Sequence, residues 1–438
     1  MVNKLSEEAY LQETKPLQGE KETPKDRYHL IYYALILHGF GILIPWNMFI
    51  TAGPYFMDYK LNVNLTDTDS NEQLSSIRKN FLNIVGSSAQ TPNLICSALN
   101  LFVSQSPRSL NLRIISSLTI QAILIFFNIV LAMIDSSQWP YEFFYITLFS
   151  VIIIYSAAGV YQNCIYGLAG KMPMEYSNAA VIGSNLCGTI TTIIMIISLA
   201  TTPDFQTSAI IYFLIALLIL LVCLATYFGF KSNPFYRHHA LEEDSQSGMI
   251  ESQPSERPPY LKIFRNIWPQ CYNVFLTFFV TLAVFPNVVS QVAPMDNAFG
   301  LSSKYFSPLI CFLIFNLSAF LGNLLPNLMI WPSPRYLWVP VTARILFVPF
   351  FLYCNYIPKI RIWPVIIRSD VLFSVATMLL GLSQGYASSL GMMFACKESP
   401  PRYAGIAGMT AAFFLVAGLF CGVNFSFLLT WIVQQNLL

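Results

Sequence analysis

Long apolar stretches separated by short polar ones run through most of this 438-residue chain. An apolar run of about 18 residues or more is long enough to cross a bilayer as a helix. We predict one membrane-spanning helix in each of eleven such runs. They lie at about 28–50, 81–104, 114–134, 143–167, 178–200, 207–230, 268–293, 306–330, 337–355, 371–395 and 404–433. The predicted fold class is an all-α membrane protein.

The composition agrees with this prediction. The chain is 55% hydrophobic and only 11% charged, with a mean hydropathy of +0.56, whereas soluble domains carry roughly 25% charged residues. A net charge of +2 gives no reason to expect a nucleic acid as a partner. The expected partners are the lipid bilayer and a small-molecule substrate. The nine cysteines have no metal-ligand spacing and are predicted to be core residues.

Three hydrophilic segments divide the chain. Residues 1–27 mix both charge signs and are predicted to form a disordered cytoplasmic tail. The acidic stretch 57–80 is predicted to be an outer loop, in which Asn64 starts an Asn-Leu-Thr glycosylation sequence. Residues 231–267 are predicted to be a cytoplasmic linker. This linker separates a six-helix bundle at 28–230 from a five-helix bundle at 268–438.

The distribution of basic residues predicts the orientation. Cytoplasmic segments carry an excess of Lys and Arg. With the N-terminus cytoplasmic and the C-terminus outside, most of the 24 basic residues fall on the inner side. Lys359, Arg361 and Arg368 are the exception, since they fall on the outer side.

The chain lacks the sequence motifs of a membrane enzyme. It has no phosphate-binding loop, no paired metal-binding histidines and no nucleophile motif. Ionisable residues in the spans are few, namely Arg113, Arg344 and Asp370, each near a span end. We therefore expect no enzymatic activity, no cofactor and no metal site.

Three adjacent residues near the end of the first span combine features that suit a planar polar ligand. Pro45 bends the helix, Trp46 supplies a flat ring and Asn47 supplies an amide. A ligand site and an ordinary membrane-interface position both fit this pattern.

Further amides occur in the spans of both predicted bundles. An isolated amide in a membrane helix often joins neighbouring helices, but polar residues also line water-filled cavities. Their spread over several helices favours a polar cavity between the bundles. The amides in question are Gln90, Asn93, Gln162, Asn316 and Asn323.

Several motifs together resemble the equilibrative nucleoside transporter family. They are Pro45-Trp46-Asn47 with Tyr55-Phe56, Gln162 with Tyr166-Gly167-Leu168-Ala169-Gly170, Phe312 with Phe315-Asn316, Ala343-Arg344 with Phe347-Val348-Pro349, and Gly385-Tyr386. The resemblance implies a fold similar to the major-facilitator type. It also implies facilitative transport of nucleosides by alternating access between two bundles.

The resemblance assigns roles to particular residues. Leu43, Trp46 and Asn47 match residues near the ligand, Leu419 matches an apolar wall position, and Phe312 belongs to the eighth-span pattern. By the same resemblance, Gln162 matches the residue that pairs with the base, since a carboxamide offers one donor group and one acceptor. Arg113 matches a gating arginine on the cytoplasmic side.

This chain departs from the family pattern at the sugar-binding positions. The family's Asp and Arg of the eighth span are replaced by Ala319 and Asn323, and the acidic partner of the gating Arg by Gly405. We expect neutral hydrogen bonds from Gln90, Asn93, Asn316 and Asn323 instead.

Two alternatives stay open. In the first, the substrate is a nucleobase or another polar small molecule. In the second, the chain is a receptor or scaffold that docks partners through 231–267. We expect the plasma membrane as the location rather than an endosomal or lysosomal membrane.

Overall fold

A computed structural model describes residues 24–62, 68–103, 106–201, 204–242, 258–296 and 299–435. Within these ranges the regular secondary structure is helical, apart from one isolated bridge between Val292 and Tyr356. The predicted all-α class is therefore confirmed. Asn64, most of the predicted tail and residues 243–257 of the predicted linker lie outside the described residues.

Eleven main helices follow one another, and each overlaps one predicted span. They are α1 Leu30–Thr51, α2 Thr68–Leu101, α3 Pro107–Met133, α4 Pro140–Gly170, α5 Met174–Thr201, α6 Phe205–Phe230, α7 Tyr260–Val284, α8 Lys304–Asn327, α9 Trp338–Leu352, α10 Asp370–Lys397 and α11 Ala404–Val433.

In the part of the chain that the structure describes, nine helices are long and apolar enough to cross a bilayer. The other two are α2, which is rich in Ser, Asn and Gln, and α9, which is short. The structure thus supports an integral multi-pass membrane protein with at least nine spanning helices.

Two helices begin earlier in the structure than the sequence predicts. α2 begins at Thr68 rather than at residue 81, and α7 begins at Tyr260 rather than at residue 268. A search for apolar runs cannot see a helical turn outside the membrane, because such a turn is apolar on one face only. At the start of α2, Leu74 and Phe81 are buried, whereas Gln73, Ser75 and Asn80 are exposed.

The helix pairings repeat along the chain with an offset of six helices. In the first half α1 packs against α5 and α2 against α4; in the second half α7 packs against α11 and α8 against α10. Between the halves, α5 contacts α8 and α10, while α11 contacts α2 and α4. α4 of the first half is therefore equivalent to α10 of the second. Two such halves related by a repeat are a common design of transporters.

Glycines allow the closest of these contacts. A Cβ atom on Gly183 of α5 would lie 1.9 Å from the backbone oxygen of Ile36 in α1. A Cβ atom on Gly385 of α10 would lie 1.9 Å from the backbone oxygen of Ala319 in α8. Small residues let membrane helices pack closely, and both halves contain such a contact.

We expect Gly183→Ala to destabilise the protein. An alanine in a helix is intrinsically better than glycine by about 1 kcal/mol, so any loss of stability must come from the clash with the α1 backbone. Overpacking of this kind costs about 1–3 kcal/mol. Thermal unfolding in detergent measures the effect.

The matched control is Gly229→Ala in α6, where no other atom lies within 4 Å of the new Cβ. Equal unfolding temperatures for the two variants would contradict the close packing of α1 and α5.

Candidate substrate-binding cavity

A cavity of about 130 Å³ lies between the two halves of the molecule. Its walls come from α1, α2, α4 and α5 of the first half and from α7, α8, α10 and α11 of the second. None of the described residues that line it is Asp, Glu, Lys, Arg or His. The cavity is therefore neutral, with apolar and aromatic walls and a limited set of amides and hydroxyls.

Nine of the ten residues predicted to contact substrate line this single cavity. They come from five helices, and the sequence alone did not show that they meet. These residues are Leu43, Trp46, Asn47, Gln90, Asn93, Gln162, Phe312, Asn316 and Leu419.

The Pro45-Trp46-Asn47 segment keeps its helical structure and presents an aromatic ring to the cavity. Trp46 packs edge-on against Tyr155, with ring centroids 6.0 Å apart. The Asn47 amide nitrogen donates to the backbone oxygen of Leu43 at 3.0 Å. Trp46 is thus held by its neighbours, and Asn47 uses part of its amide within α1 itself.

Gln162 and Asn93 bring hydrogen-bonding atoms to the cavity that no protein group uses. Among the described residues Gln162 makes no side-chain hydrogen bond, although it is only 4% exposed. The amide nitrogen of Asn93 lies 3.5 Å from the Gln90 side-chain oxygen, and the Asn93 side-chain oxygen has no partner among the described residues. Buried polar atoms without partners are costly, so these positions suit a polar ligand or water.

Asn316 links the two halves at the cavity wall. Its amide nitrogen donates to the Thr192 hydroxyl of α5 at 3.0 Å. A Cβ atom on Gly188 would lie 2.4 Å from the Asn316 side-chain oxygen, so the glycine makes room for this amide.

Asn323 does not line the cavity, contrary to its predicted contact with substrate. It is fully buried, and its amide nitrogen donates to the Val181 backbone oxygen of α5 at 3.2 Å. Its side-chain oxygen accepts from Ser389 at 3.2 Å, and its backbone oxygen accepts from the Asn178 side chain at 3.1 Å. The structure therefore places Asn323 in a contact between the halves.

Arg113 also takes part in a network that reaches across the two halves. It donates to the Asn100 side-chain oxygen at 2.6 Å, and Asn100 donates to Asn163 at 2.8 Å. Asn163 in turn donates to the Met409 backbone oxygen of α11 at 2.8 Å. In this way neutral amides connect Arg113 to α11, one turn from Gly405.

These contacts lie on one face of the molecule, where α1 begins. We call them the closed-face contacts: Asn163 with Met409, Asn178 with Asn323, Asn323 with Val181, and Ser177 with Cys396. On the opposite face, where α1 ends, a second space of about 580 Å³ shares Trp46 and Phe312 with the central cavity. The central cavity thus adjoins this second space on one side and the closed-face contacts on the other.

Several polar lining residues were not among the predicted binding residues, among them Thr51, Ser184, Asn185, Thr191 and Thr192. Gln384 of α10 lines the cavity, and so does Thr281 of α7. The polar sequence Ser383-Gln384-Gly385 in an apolar run was a usable signal for the first. A threonine in a membrane helix carries no comparable signal, because it is common there for packing reasons.

The part of the chain that the structure describes contains no group of three metal-ligating side chains. Its one salt bridge joins Arg78 and Asp58 at 2.9 Å, both partly exposed and away from the central cavity. Hydrogen bonds and apolar contacts therefore dominate the chemistry that the cavity offers.

Comparison with known proteins identifies the family. The sequence model described as "Nucleoside transporter" matches residues 148–431. Mouse equilibrative nucleoside transporter 2 is 33% identical over 450 residues, covering 92% of this chain and 98% of that protein. Human equilibrative nucleoside transporter 1 is 31% identical over 455 residues, covering 94% and 99%.

A solved structure is similar in fold. The human organic anion transporter MFSD10 has a TM-score of 0.56 with 14% identity, covering 94% of this chain and 96% of that chain. At this identity the likeness concerns the fold alone. Together with the family match and the identities over nearly the whole length, it leads to one conclusion: this chain belongs to the equilibrative nucleoside transporter family.

Proposed function

We propose that this protein carries nucleosides across a membrane by facilitated diffusion. The observation that carries the proposal is the neutral cavity between the halves, lined by nine of the ten residues predicted to contact substrate. The names of the relatives, equilibrative nucleoside transporters, support the same substrate class. Because the family consists of transporters, the expectation that this chain is not an enzyme is confirmed.

The proposed binding mode follows from the groups that face the cavity. The Trp46 ring packs on the base, and the Gln162 amide donates and accepts one hydrogen bond at the base edge. Leu43, Phe312 and Leu419 form apolar walls, while Gln90, Asn93 and Asn316 offer neutral hydrogen bonds. A nucleoside is uncharged at neutral pH, so a cavity without ionisable lining residues suits it.

The proposed transport cycle alternates between two openings. The central cavity adjoins a second space where α1 ends, and we propose that substrate enters from that side, while the closed-face contacts block the side where α1 begins. Neutral hydrogen bonds each contribute only about 0.5–1.5 kcal/mol, so a rocking motion of the halves can break them. The substrate would then leave on the face that was closed.

We propose eleven spans, with α2 and α9 crossing the membrane beside the other nine, and a cytoplasmic N-terminus. The closed face is then cytoplasmic. Arg361, an exception to the charge rule, donates to the backbone oxygens of Leu352, Trp363 and Pro364 at 2.8–3.1 Å. It stabilises its own loop, which gives it a role other than setting the orientation.

We also propose the plasma membrane as the location. Asp26 with Leu30-Ile31 has the spacing of an acidic-dileucine sorting signal, but the Asp26 carboxylate accepts hydrogen bonds from the backbone N–H groups of Ile31 and Tyr32. The motif is thus part of the start of α1. Biotin labelling of intact cells tests the location, and recovery of the protein only from internal membranes would contradict it.

Uptake into liposomes that contain only the purified protein tests the proposed function. Radiolabelled uridine and adenosine are the substrates, hypoxanthine is the competitor, and each assay is run with and without a proton gradient. We expect saturable nucleoside flux that needs no gradient. If folded protein gives no nucleoside flux, the proposal is wrong.

The same assay separates a second candidate substrate, a nucleobase. This candidate is favoured by the replacement of the family's Asp and Arg by Ala319 and by an Asn323 that lies outside the cavity. Flux of hypoxanthine without flux of nucleosides would support it.

We expect Gln162→Ala to reduce kcat/KM for uridine about tenfold, because one donor and one acceptor to the base are lost. Liposome uptake gives the value. The matched control is Gln121→Ala in α3, a buried glutamine that donates to the Ser117 backbone oxygen and does not line the cavity. Equal kcat/KM values for both variants would remove Gln162 from the site.

We expect Asn163→Ala to open the cytoplasmic face more often. The lost hydrogen bond to Met409 contributes about 1 kcal/mol to the closed state, so its removal should raise the population of the open state about fivefold. Cys396 is 6% exposed at that face, so its labelling by a maleimide from the cytoplasmic side, followed by mass spectrometry, reports the opening.

The control is Asn128→Ala, whose amide bonds to Leu124 and Ser150 stay within the first half. If both variants label Cys396 at the same rate, Asn163 does not hold the face closed.

A further inference from the structure

We propose that Gln384 is a second substrate-binding amide, which contacts a sugar hydroxyl of the nucleoside, and that Arg344 positions it. This inference rests on the proposed function, and it names a residue for which the family pattern quoted above has no role.

The location of Gln384 mirrors that of Gln162. Gln162 lies in α4 and Gln384 in α10, and these two helices are equivalent in the six-helix offset of the pairings. Both side chains are nearly buried, at 4% and 3% exposure, and both line the central cavity. The cavity is therefore faced by a glutamine from each of these two equivalent helices.

Gln384 is held in place by tight packing on both sides. A Cβ atom on Gly381 would lie 2.4 Å from the Phe315 backbone oxygen, and one on Gly385 would lie 1.9 Å from the Ala319 backbone oxygen. These contacts fix α10 against α8. A side chain on such a rigid segment can bind a ligand without a large ordering cost.

The side-chain amide of Gln384 is available to a ligand. Its side-chain oxygen is buried and has no partner among the described residues, and no protein group in these ranges binds its amide nitrogen. Since the oxygen is the buried end, the nitrogen is the end that faces the cavity.

Arg344 places a positive charge behind the same wall. It is 3% exposed and donates to the Thr277 backbone oxygen at 3.1 Å, to the Thr281 hydroxyl at 2.7 Å and to the Leu380 backbone oxygen at 3.4 Å. Thr281 lines the cavity, and Leu380 precedes Gln384 by about one helical turn. No carboxylate among the described residues forms a salt bridge with Arg344.

An uncompensated buried cation orients nearby dipoles, because the low dielectric of the interior screens it little. It favours a Gln384 carbonyl oxygen turned towards the cation, and an NH₂ group turned towards the cavity. The cavity wall formed by the second half then offers a hydrogen-bond donor with a positive charge behind it. Such a wall suits oxygen atoms with free lone pairs.

The sugar of a nucleoside supplies such oxygens. Trp46 and Gln162, which would hold the base, belong to the first half, so the rest of the ligand extends towards α7, α8 and α10. The positions of the family's sugar-binding Asp and Arg do not serve here, since Ala319 is apolar and Asn323 is used between the halves. Gln384 is the unpartnered amide on that side.

The experiment combines a change in the protein with a change in the ligand. Inhibition constants against radiolabelled uridine uptake are measured for uridine and for its 2′-, 3′- and 5′-deoxy forms, with the unchanged protein and with Gln384→Leu. In the unchanged protein, removal of the contacted hydroxyl should weaken inhibition about three- to tenfold. In Gln384→Leu the same removal should make no difference, while uridine itself binds about three- to tenfold more weakly.

Gln121→Leu is the matched control, because this buried glutamine of α3 lies outside the cavity. It should keep the discrimination between uridine and the deoxy forms. Gln162→Leu should weaken all four ligands together, because it acts on the base. If Gln384→Leu keeps the discrimination of the unchanged protein for every deoxy form, the inference is overturned.

Arg344 is tested as a positioning residue in the same assay. Arg344→Gln should lose the discrimination that Gln384→Leu loses, although Arg344 does not line the cavity, and Arg344→Lys should retain part of it. Unchanged discrimination in folded Arg344→Gln would contradict the positioning role. If that variant does not fold, Arg344→Lys decides, since a lysine keeps the charge but lacks the fork that binds Thr281 and Leu380 together. Partial loss of discrimination in Arg344→Lys then supports the positioning role, and unchanged discrimination contradicts it.

Failure of this inference differs from failure of the proposed function. If the unchanged protein neither takes up uridine nor is stabilised by uridine against thermal unfolding, the proposed function fails, and this inference fails with it. If the unchanged protein transports uridine but Gln384→Leu behaves like Gln121→Leu, only this inference fails.

Discussion

This structure depends on one constraint, which is that every buried amide needs a hydrogen-bond partner. Water is absent from the membrane interior, so an amide there must bond to protein or keep its hydrogen-bonding atoms for a ligand. The chain uses both solutions. Asn163 and Asn323 are bonded and hold the halves together on one face, whereas the side chains of Gln162 and Gln384 have no protein partner among the described residues and line the cavity.

Neutral groups take the place of charges at both functional regions. The network from Arg113 to Met409 passes through two asparagines rather than an ion pair. A buried ion pair is costly to desolvate and costly to separate, while a neutral hydrogen bond is modest in both respects. A carrier must break and remake the closure in every cycle, and several weak contacts allow this without a deep energy minimum in either state.

The sequence predicted the helices and most of the cavity, because both leave local signals. Apolar runs mark helices, and amides within them mark polar interiors, which located Gln90, Asn93, Gln162 and Asn316. The family resemblance supplied Leu43, Phe312 and Leu419. Asn323 shares a helix face with Asn316 and looked the same in sequence, but the backbone oxygen of Val181 in another helix takes up its amide. Gln384 needed the equivalence of α4 and α10, which depends on packing. The start of α2 at Thr68 was missed because its apolar face is narrow.

The contacts between α5 and α8 explain how one helix pair can serve both the closure and the site. Asn316 and Asn323 lie two turns apart on one face of α8, and both bond to α5, through Thr192 and Val181. Rocking of the halves must separate the Asn323 end, since that end belongs to the closed face. The Asn316 end lies at the cavity, where Gly188 leaves space for its amide. A contact near the centre of rotation moves least, so alternating access requires Asn316 and Gly188 to stay together while Asn323 and Val181 part.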